Sequence, residues 1–400
     1  MTDSITSKKL PWQVKLFFLT FLLPVEASFP IGDFRLTPNR VLLILAFVPC
    51  LRIVFSNSVK RLPTDWLLLL YSFWLIFSLL VNHDLAQGLK SGGILVLESL
   101  GAYLFARAFI RDEEDFYNFL KIFVFIVIVL SLFTIPETLT GMNIFRPQIG
   151  HIDTRLGLQR SFGPFDHPIL YGCFCASIVS LSWFYRVEKR LLRTVWLIIA
   201  TFMSVSSGPL VAVAVQLILL VWKTITRSLN SRWKLFSFLL AIVYVIIDLI
   251  SNRTPLKVFL SYLTFSPATA YFRTIIWDWG IQENVKKNPW FGIGFEEWIR
   301  PSWMHATSID NFWLVNMVRY GLPTFIFLAL GILAMLFAIG KVSADSESGT
   351  NIRTGFVFSF IGLIIAGCTV HFWNSSYVWL FFFLGSGACL TQLPVNSNNG

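Results

Sequence analysis

The sequence predicts an all-α, polytopic membrane protein with about twelve transmembrane helices, and three observations support this fold class. Of its 400 residues, 55% are hydrophobic and only 14% are charged, whereas soluble domains are nearer a quarter charged. The apolar residues form runs close to the twenty that cross the hydrocarbon core as a helix. The 40 Phe and 15 Trp residues suit the lipid face and the interfacial belt. Residues 1–400 are therefore interpreted as a single transmembrane bundle with loop insertions.

The predicted spans follow one another through short connections, except at two places. The first run has Lys8 and Lys9 ahead of it but no small-residue cleavage site, and many more spans follow it, so we interpret it as a retained helix rather than a signal peptide. The seventh and eighth runs are short and meet at Ser206-Ser207-Gly208-Pro209, which predicts a tight hairpin. The predicted spans are residues 13–30, 40–56, 64–82, 90–110, 117–135, 166–185, 194–207, 209–223, 235–250, 311–340, 353–371 and 377–393.

The distribution of basic residues predicts the orientation of the bundle. With the N-terminus inside, the short outer loops hold only Arg35 and Lys90, and this is the positive-inside bias. We therefore expect both termini in the cytoplasm, and a net charge of +10 that reflects topology rather than nucleic-acid binding. The acidic segment 111–115 runs against the trend, but acidic residues weigh little in this rule. The basic residues assigned to inner loops include Lys60, Arg61, Lys189, Arg190, Arg193, Lys223, Arg227, Arg232 and Lys234.

Two long loops, residues 137–165 and 251–310, fall on the predicted outer side. Long loops in compact proteins are usually functional or disordered, and neither loop has a disordered composition. The second contains an amphipathic stretch, Phe272–Ile281, which is typical of a segment lying along the membrane surface. The sequence therefore places the polar chemistry of the protein in these two loops.

Basic residues cluster in both loops against the positive-inside trend. An arginine fork matches phosphate oxygens in pairs and forms charge-assisted hydrogen bonds, so a lipid-linked pyrophosphate at the outer face is a ligand that fits. For any one of these residues the alternative is solvated surface charge or contact with lipid headgroups. The candidate phosphate-binding residues are Arg155, Arg160, Arg273 and Arg300.

Titratable residues near the helix entrances are candidates for acid–base chemistry. His305 and Asp310 precede the tenth predicted span, where a general base could take a proton from a hydroxyl. The structural alternative for Asp310 is a helix N-cap. His167 and Asp166 precede the sixth span, and for Asp166 an N-cap ahead of Pro168 is the favoured interpretation.

Two ionisable residues fall inside predicted spans. Glu98 and Arg319 are therefore further candidates, because ionisable groups within a membrane are costly and often functional. A purely structural pairing of Glu98 with an arginine is an equal alternative. The Gly292-Ile293-Gly294 segment is too short for a nucleotide loop, and the five cysteines lack zinc-like spacing. No metal or cofactor is predicted.

Taken together, the loop motifs resemble the O-antigen ligase and polysaccharide polymerase superfamily. The first loop ends in an Arg-x-x-Gly-x-Phe-x-x-Pro pattern at residues 160–168. In the second, Arg273 precedes Asn-Pro-Trp-Phe-Gly-Ile-Gly at 288–294, which is similar to the family's Pro-hydrophobic-x-Gly-hydrophobic-Gly element. That loop closes with Asp-Asn-Phe-Trp-Leu at 310–314 and Tyr-Gly-Leu-Pro at 320–323.

This resemblance implies a fold, an activity and a location. The fold would be a helical bundle like that of the GT-C glycosyltransferases, in a bacterial inner membrane with the active site on the periplasmic face. The activity would be metal-independent, inverting glycosyl transfer from an undecaprenyl-pyrophosphate-linked glycan, with Arg160 and Arg273 holding the pyrophosphate. The partners implied are that glycan, membrane lipids, and chain-length regulator and export proteins.

The sequence departs from the family at the expected base. Ligases of the family usually carry His where this chain has Asp310, and His305 lies upstream, so either residue is a candidate base. The Asp-Asn-Phe-Trp-Leu segment looks more like that of exopolysaccharide polymerases than that of lipid A-core ligases. A ligase that moves finished glycan to a lipid A-core acceptor is the alternative enzyme, and a lipid-linked oligosaccharide flippase is the alternative of another class.

Overall fold

The protein is a bundle of helices with almost no sheet. The computed structural model describes residues 9–31, 34–148, 154–185, 187–262, 264, 267–342 and 347–392, which leaves part of the predicted loop 137–165 and of the loop 251–310 outside the described residues. Within the described ranges, eight helical segments are long and apolar enough to cross a membrane, which confirms the all-α polytopic fold. They are Pro63–Asn82, Leu85–Phe109, Glu113–Thr140, Pro168–Tyr185, Ser207–Ile225, Arg232–Ile250, Leu322–Lys341 and Gly349–Gly367.

The other predicted spans correspond to shorter helices. The run predicted at 13–30 is helical only over ten residues, which rise about 15 Å and fall short of the hydrocarbon core of about 30 Å. It ends just before Pro24, whose ring disfavours helix in the residue that precedes it. The helices are α1 Trp12–Phe21, α2 Pro38–Val54, α3 Pro63–Asn82, α4 Leu85–Val96, α5 Ala102–Phe109, α6 Glu113–Thr140, α7 Pro168–Ala176, α8 Val179–Tyr185, α9 Arg190–Phe202, α10 Ser207–Ile225, α11 Arg232–Ile250, α12 Pro255–Tyr262, α13 Pro267–Trp279, α14 Phe312–Tyr320, α15 Leu322–Lys341, α16 Glu347–Gly367 and α17 Asn374–Ser386.

Short irregular elements complete the chain. A π-helical turn, Leu97–Gly101, joins α4 to α5, a second one, Gly280–Val285, follows α13, and a 3₁₀ turn, Gly387–Thr391, follows α17. Two antiparallel hairpins lie between helices. Their strands are β1 Phe29–Ile31 with β2 Phe34–Leu36, and β3 Thr154–Arg155 with β4 Leu158–Gln159.

The bundle core is aromatic and surrounds α17. Every residue of this helix from Ser376 to Ser386 is buried, so α17 occupies the centre although it has only 13 residues. The Trp379 ring lies with its centroid 4.5 Å from that of Phe123 and 4.7 Å from that of Phe174. Aromatic pairs at these separations add to the stabilisation from burial alone, and they account for much of the phenylalanine content.

Close packing of α4 on α3 depends on glycine. A Cβ added at Gly88 would lie 2.9 Å from the Leu80 side chain, and one added at Gly92 would lie 3.1 Å from that of Ile76. This Gly-x-x-x-Gly spacing lets two membrane helices approach closely. Gly93, one residue further, faces open space instead.

The tenth predicted span, 311–340, is two helices rather than one. Gly321 has a φ of +85°, and a Cβ at this position would lie 1.9 Å from the Trp290 carbonyl oxygen. The helix therefore ends at Tyr320 and restarts as α15 with Pro323 in its first turn, where proline is tolerated. The second long loop is joined to this break, because the Leu322 N–H donates to the Pro289 carbonyl over 2.8 Å.

The acidic segment that runs against the charge bias is a helix start. The Asp112 side chain accepts a hydrogen bond of 2.8 Å from the Asp115 backbone N–H and caps α6. Three acidic residues fill the first turn, where the helix dipole favours negative charge. The segment therefore has a local structural explanation.

A buried ion pair joins α3 to α5. Arg107 donates to both carboxylate oxygens of Asp65, over 3.1 Å and 2.9 Å, and the Tyr103 hydroxyl donates to the same carboxylate over 2.5 Å. Asp65 is fully buried and the Arg107 side chain is 3% exposed. Loss of one partner would leave the other charge without compensation in a dry environment.

We expect Asp65→Asn to destabilise the bundle by about 3–5 kcal/mol, because the guanidinium of Arg107 would remain buried without its counter-charge. Thermal unfolding of the purified protein in detergent measures the loss. The matched control is Glu283→Gln, which breaks the exposed 2.7 Å pair with Lys287 and should cost less than about 1 kcal/mol. Equal losses in the two variants would contradict a stabilising role for the buried pair.

Candidate functional site

The first long loop directs Arg160 toward the bundle. Its hairpin of β3 and β4 turns at Leu156 and Gly157, which have φ values of 56° and 76°. Positive φ at both central residues gives the turn type that suits the twist of a two-residue hairpin. Arg155 ends β3 and Arg160 follows β4, so the hairpin brings both arginines to one end of the loop.

The residues after Arg160 are fixed by a carboxylate on α6. Glu137 accepts hydrogen bonds from the backbone N–H groups of Phe162 and Gly163, over 3.0 Å and 3.1 Å. The Ser161 N–H donates to the Met203 carbonyl over 3.0 Å. These bonds hold the loop against the bundle, and the Arg160 side chain is only 5% exposed.

The arginines of the two loops meet at the start of α10. Arg160 donates from Nη2 to the Ser206 hydroxyl over 2.9 Å. Arg273, on α13 of the second loop, lies with Nη2 3.5 Å from the Ser207 hydroxyl and 3.3 Å from the Thr369 carbonyl oxygen. Two buried guanidinium groups from distant parts of the chain therefore contact consecutive serines, beside the positive end of a helix dipole.

The charges of Arg155 and Asp310, and the pKa of His167, link these three residues to the start of α10. The pKa of Arg273 is lowered to about 10, mainly by burial; the negative charge of Asp310 opposes this lowering, and the positive charge of Arg155 contributes to it. Burial lowers the pKa of His167 to about 4, and the charges of Arg160 and Arg155 act in the same direction. At neutral pH, Arg273 is therefore charged and His167 is neutral. We refer to Arg155, Arg160 and Arg273 as the arginine cluster.

Of the two candidate bases, Asp310 is the one whose charge acts on the cluster. Asp310 is exposed and its charge raises the pKa of Arg273. His305 is exposed on the approach to α14. The N-cap interpretation of Asp310 was wrong by one residue, because the Asn311 side chain accepts the 2.9 Å hydrogen bond from the Leu314 N–H. The Asp310 carboxylate is therefore not used in capping α14.

The N-cap interpretation of Asp166 was also wrong by one residue. His167 caps α7, since its Nδ1 accepts a 3.2 Å hydrogen bond from the Ile169 N–H. Asp166 instead accepts a 2.9 Å hydrogen bond from Asn374 and lies 3.8 Å from Arg146. It ties the first loop to the segment before α17.

Three predicted candidates lie in contacts of other kinds. Arg300 donates from Nε to the Met304 carbonyl over 3.0 Å, within its own loop. Arg319 donates over 3.0 Å to the carbonyl of Gly294 and also to that of Glu296, so it holds the Gly-Ile-Gly segment. Glu98 accepts a 2.7 Å hydrogen bond from Arg40 Nε, which is the structural pairing weighed from the sequence.

The sequence prediction did not identify every residue at the site. Ser206 and Ser207 were interpreted only as a hairpin, although hydroxyls at a helix start are available to arginine side chains. His371, between α16 and α17, was not singled out. It packs beside Phe312 and Trp373, with ring centroids 6.4 Å and 5.8 Å away. Burial lowers its pKa to about 4. A lone histidine following a membrane span was the available signal.

The depressed pKa of His167 predicts a pH-dependent stability. The unfolded histidine binds its proton with a pKa near 6.5 and the folded one near 4, so the unfolded state binds more protons between these values and stability falls as pH drops through them. His167→Asn keeps a capping acceptor and should lessen the drop in unfolding temperature between pH 7.5 and 5. The control is His305→Asn, on an exposed loop. An unchanged drop in His167→Asn would contradict the buried, neutral histidine.

Comparison with known proteins gives one match. The family described as O-Antigen ligase matches residues 192–329, a range that contains both serines, Arg273 and Asp310 but not Arg155 or Arg160. No curated protein matches the chain. The match supports a membrane-bound role that is glycosyltransferase-like, and it confirms the resemblance predicted from the loop motifs. The chain is therefore similar to the O-antigen ligase family over residues 192–329, which is less than half of its length.

Proposed function

We propose that the protein polymerises undecaprenyl-pyrophosphate-linked oligosaccharide repeat units at the periplasmic face of the inner membrane, by inverting and metal-independent glycosyl transfer. The observation that carries the proposal is the meeting of Arg160 and Arg273 on consecutive serines at the start of α10. A pyrophosphate is the leaving group whose charge such a pair would stabilise.

The arginine cluster is suited to stabilising the negative charge that develops on a leaving group, in addition to binding the ligand in its ground state. When the bond between the anomeric carbon and the pyrophosphate breaks, negative charge grows on the departing oxygen. Guanidinium groups that are already buried and fixed stabilise that charge without reorganising. Ser206 and Ser207 fix them, while Thr369 offers Arg273 a carbonyl oxygen.

Asp310 is the proposed base. The acceptor hydroxyl oxygen attacks the anomeric carbon, the pyrophosphate leaves with the bonding electrons, and the hydroxyl proton passes to the Asp310 carboxylate. This assignment rests on the nearness of Asp310 to Arg273 and on the fact that Asn311, not Asp310, caps α14. His305 is the alternative base.

Two other functions share parts of this site. A ligase would use the same arginine cluster and pass the glycan to a lipid A-core acceptor instead of another repeat unit. A flippase would need polar groups along a path through the spans. In the part of the chain that the structure describes, Arg160 and Arg273 meet at the loop ends. Within the spans, Glu98 is paired with Arg40 and Asp65 with Arg107.

We expect Arg160→Ala and Arg273→Ala each to lower the rate of glycan elongation by about 10²–10³-fold, since each removes a donor to the developing charge. The assay supplies purified protein in detergent with lipid-linked repeat units and follows product length by gel electrophoresis. Detergent abolishes the two compartments, so a flippase would leave the glycans at their original length. Elongation that requires added lipid A-core acceptor would identify the ligase. Lys286→Ala, on an exposed part of the same loop, is the matched control.

The choice of base has its own test. Asp310→Asn should abolish elongation and leave binding of the lipid-linked unit intact, because it removes a proton acceptor and preserves the shape of the side chain. His305→Asn should elongate normally under the same conditions. The reverse pattern would assign the base to His305.

A further inference from the structure

A groove of about 700 Å³ opens between α2 and α4, away from the arginine cluster. Three basic residues line it: Arg35 in β2, Arg40 in the first turn of α2 and Lys90 in the second turn of α4. The remaining wall is apolar and follows α2 from Arg40 to Val48, a rise of about 12 Å. The groove therefore has three cations at one end and a hydrocarbon surface along its length.

The charge of this groove runs against the topology of the protein. Arg35 and Lys90 are the two basic residues that the sequence assigned to short outer loops, where the positive-inside bias disfavours them; in the structure Lys90 lies in α4. Both face one groove together with Arg40. This arrangement complements an amphiphile that carries a phosphate group on an apolar chain, because basic groups at a membrane surface attract anionic lipid.

Gly93 leaves space in the groove because it has no side chain. A Cβ added at Gly93 would meet nothing within 4 Å, whereas one at Gly92 would press on Ile76 of α3. Gly93 lines the groove. A larger side chain at this residue would occupy the groove without displacing the neighbouring helix.

A second cavity of about 250 Å³, lined by both apolar and polar residues, adjoins the groove. Arg40 belongs to the walls of both, and its ion pair with Glu98 stands between them. The cavity lining combines aromatic rings with planar polar groups, among them Trp373, Asn316 and His371. Such a mixture of aromatic faces and hydrogen-bonding groups binds small polar ligands in a fixed orientation, and a sugar ring presents both an apolar face and hydroxyls.

The cavity adjoins the proposed catalytic residues. Phe312, two residues after Asp310, lines it, and the Phe312 N–H donates to the Val370 carbonyl over 2.9 Å. The preceding residue, Thr369, is the one whose carbonyl contacts Arg273. Two residues that line the cavity are therefore close in sequence to the proposed site: Phe312 lies two residues after Asp310, and His371 lies two residues after Thr369.

We infer that the groove and the cavity form the acceptor site: the groove binds the phosphate and isoprenoid chain of a second lipid-linked glycan, and the cavity takes the sugars next to that phosphate. The inference rests on the proposed function, because elongation of lipid-linked units needs two such lipids at once. An ordinary bilayer phospholipid shares the groove's chemistry but has no glycan to place in the cavity.

Native mass spectrometry of the full-length protein in detergent, with undecaprenyl pyrophosphate as the probe, tests this inference. We expect two bound molecules per chain in the wild type and one in Gly93→Leu, in which the groove is filled. Gly340→Leu is the matched control, because an added Cβ there also meets nothing within 4 Å, and it should bind two. Arg35→Gln combined with Lys90→Gln should weaken the second binding event by about tenfold or more, through loss of two surface charges.

The doubly substituted Arg160→Ala/Arg273→Ala protein separates this inference from the proposed function. This protein should still bind one molecule of undecaprenyl pyrophosphate, in the groove. Adding Gly93→Leu to it should abolish that binding. A single molecule in the wild type that the arginine substitutions abolish and Gly93→Leu retains would overturn the acceptor site and leave the proposed function standing. A single molecule with the opposite dependence would support the groove and overturn the role of the arginines. Displacement of the Gly93-dependent molecule by an equal concentration of phosphatidylglycerol would also overturn the acceptor site.

Discussion

The burial of Arg160 and Arg273 at the start of α10 is the constraint on which the loop-bearing end of this protein depends. Removal of a guanidinium from water carries a cost, and the positive charge of Arg155 also acts on Arg273. Ser206, Ser207 and Thr369 provide neutral oxygens to the two buried side chains, and Asp310 provides a negative charge from an exposed position. An anion with several oxygens would add charge-assisted hydrogen bonds to these guanidinium groups.

Much of the irregular backbone serves to maintain that arrangement. Glu137 holds the loop that follows Arg160, and the break at Gly321 gives the second loop a fixed attachment to the bundle. Backbone that is not helical must still satisfy its hydrogen bonds near a membrane. Here it does so through carboxylates and neighbouring carbonyls of the spans. The loops are consequently extensions of the bundle rather than separate caps.

The sequence predicted the fold class and drew attention to the two arginines that meet at the start of α10, because each depends on a local signal. Hydropathy identifies spans without knowledge of their neighbours, and arginines in outer loops are noticeable because topology disfavours them. The helix starts at His167 and Asn311 were misplaced by one residue, since adjacent polar residues compete for a cap and only geometry decides between them. The break at Gly321 depends on the approach of the Trp290 carbonyl, a contact between distant residues. The groove lined by Gly93 is likewise a relation between two helices.

The helix α11 has a consequence for how this chain can vary. None of its residues is buried. Its first turns meet the bundle where Trp233 contacts Phe358 and the Arg232 carbonyl accepts a hydrogen bond from Trp222, and α11 also contacts α12. The side chains along the rest of α11 face lipid. Replacement of one apolar residue by another there changes neither a cavity nor a packing contact, so mean hydropathy and length are the properties that the segment must keep. The helix links α10 to the second loop over a fixed length, and its apolar residues can largely replace one another.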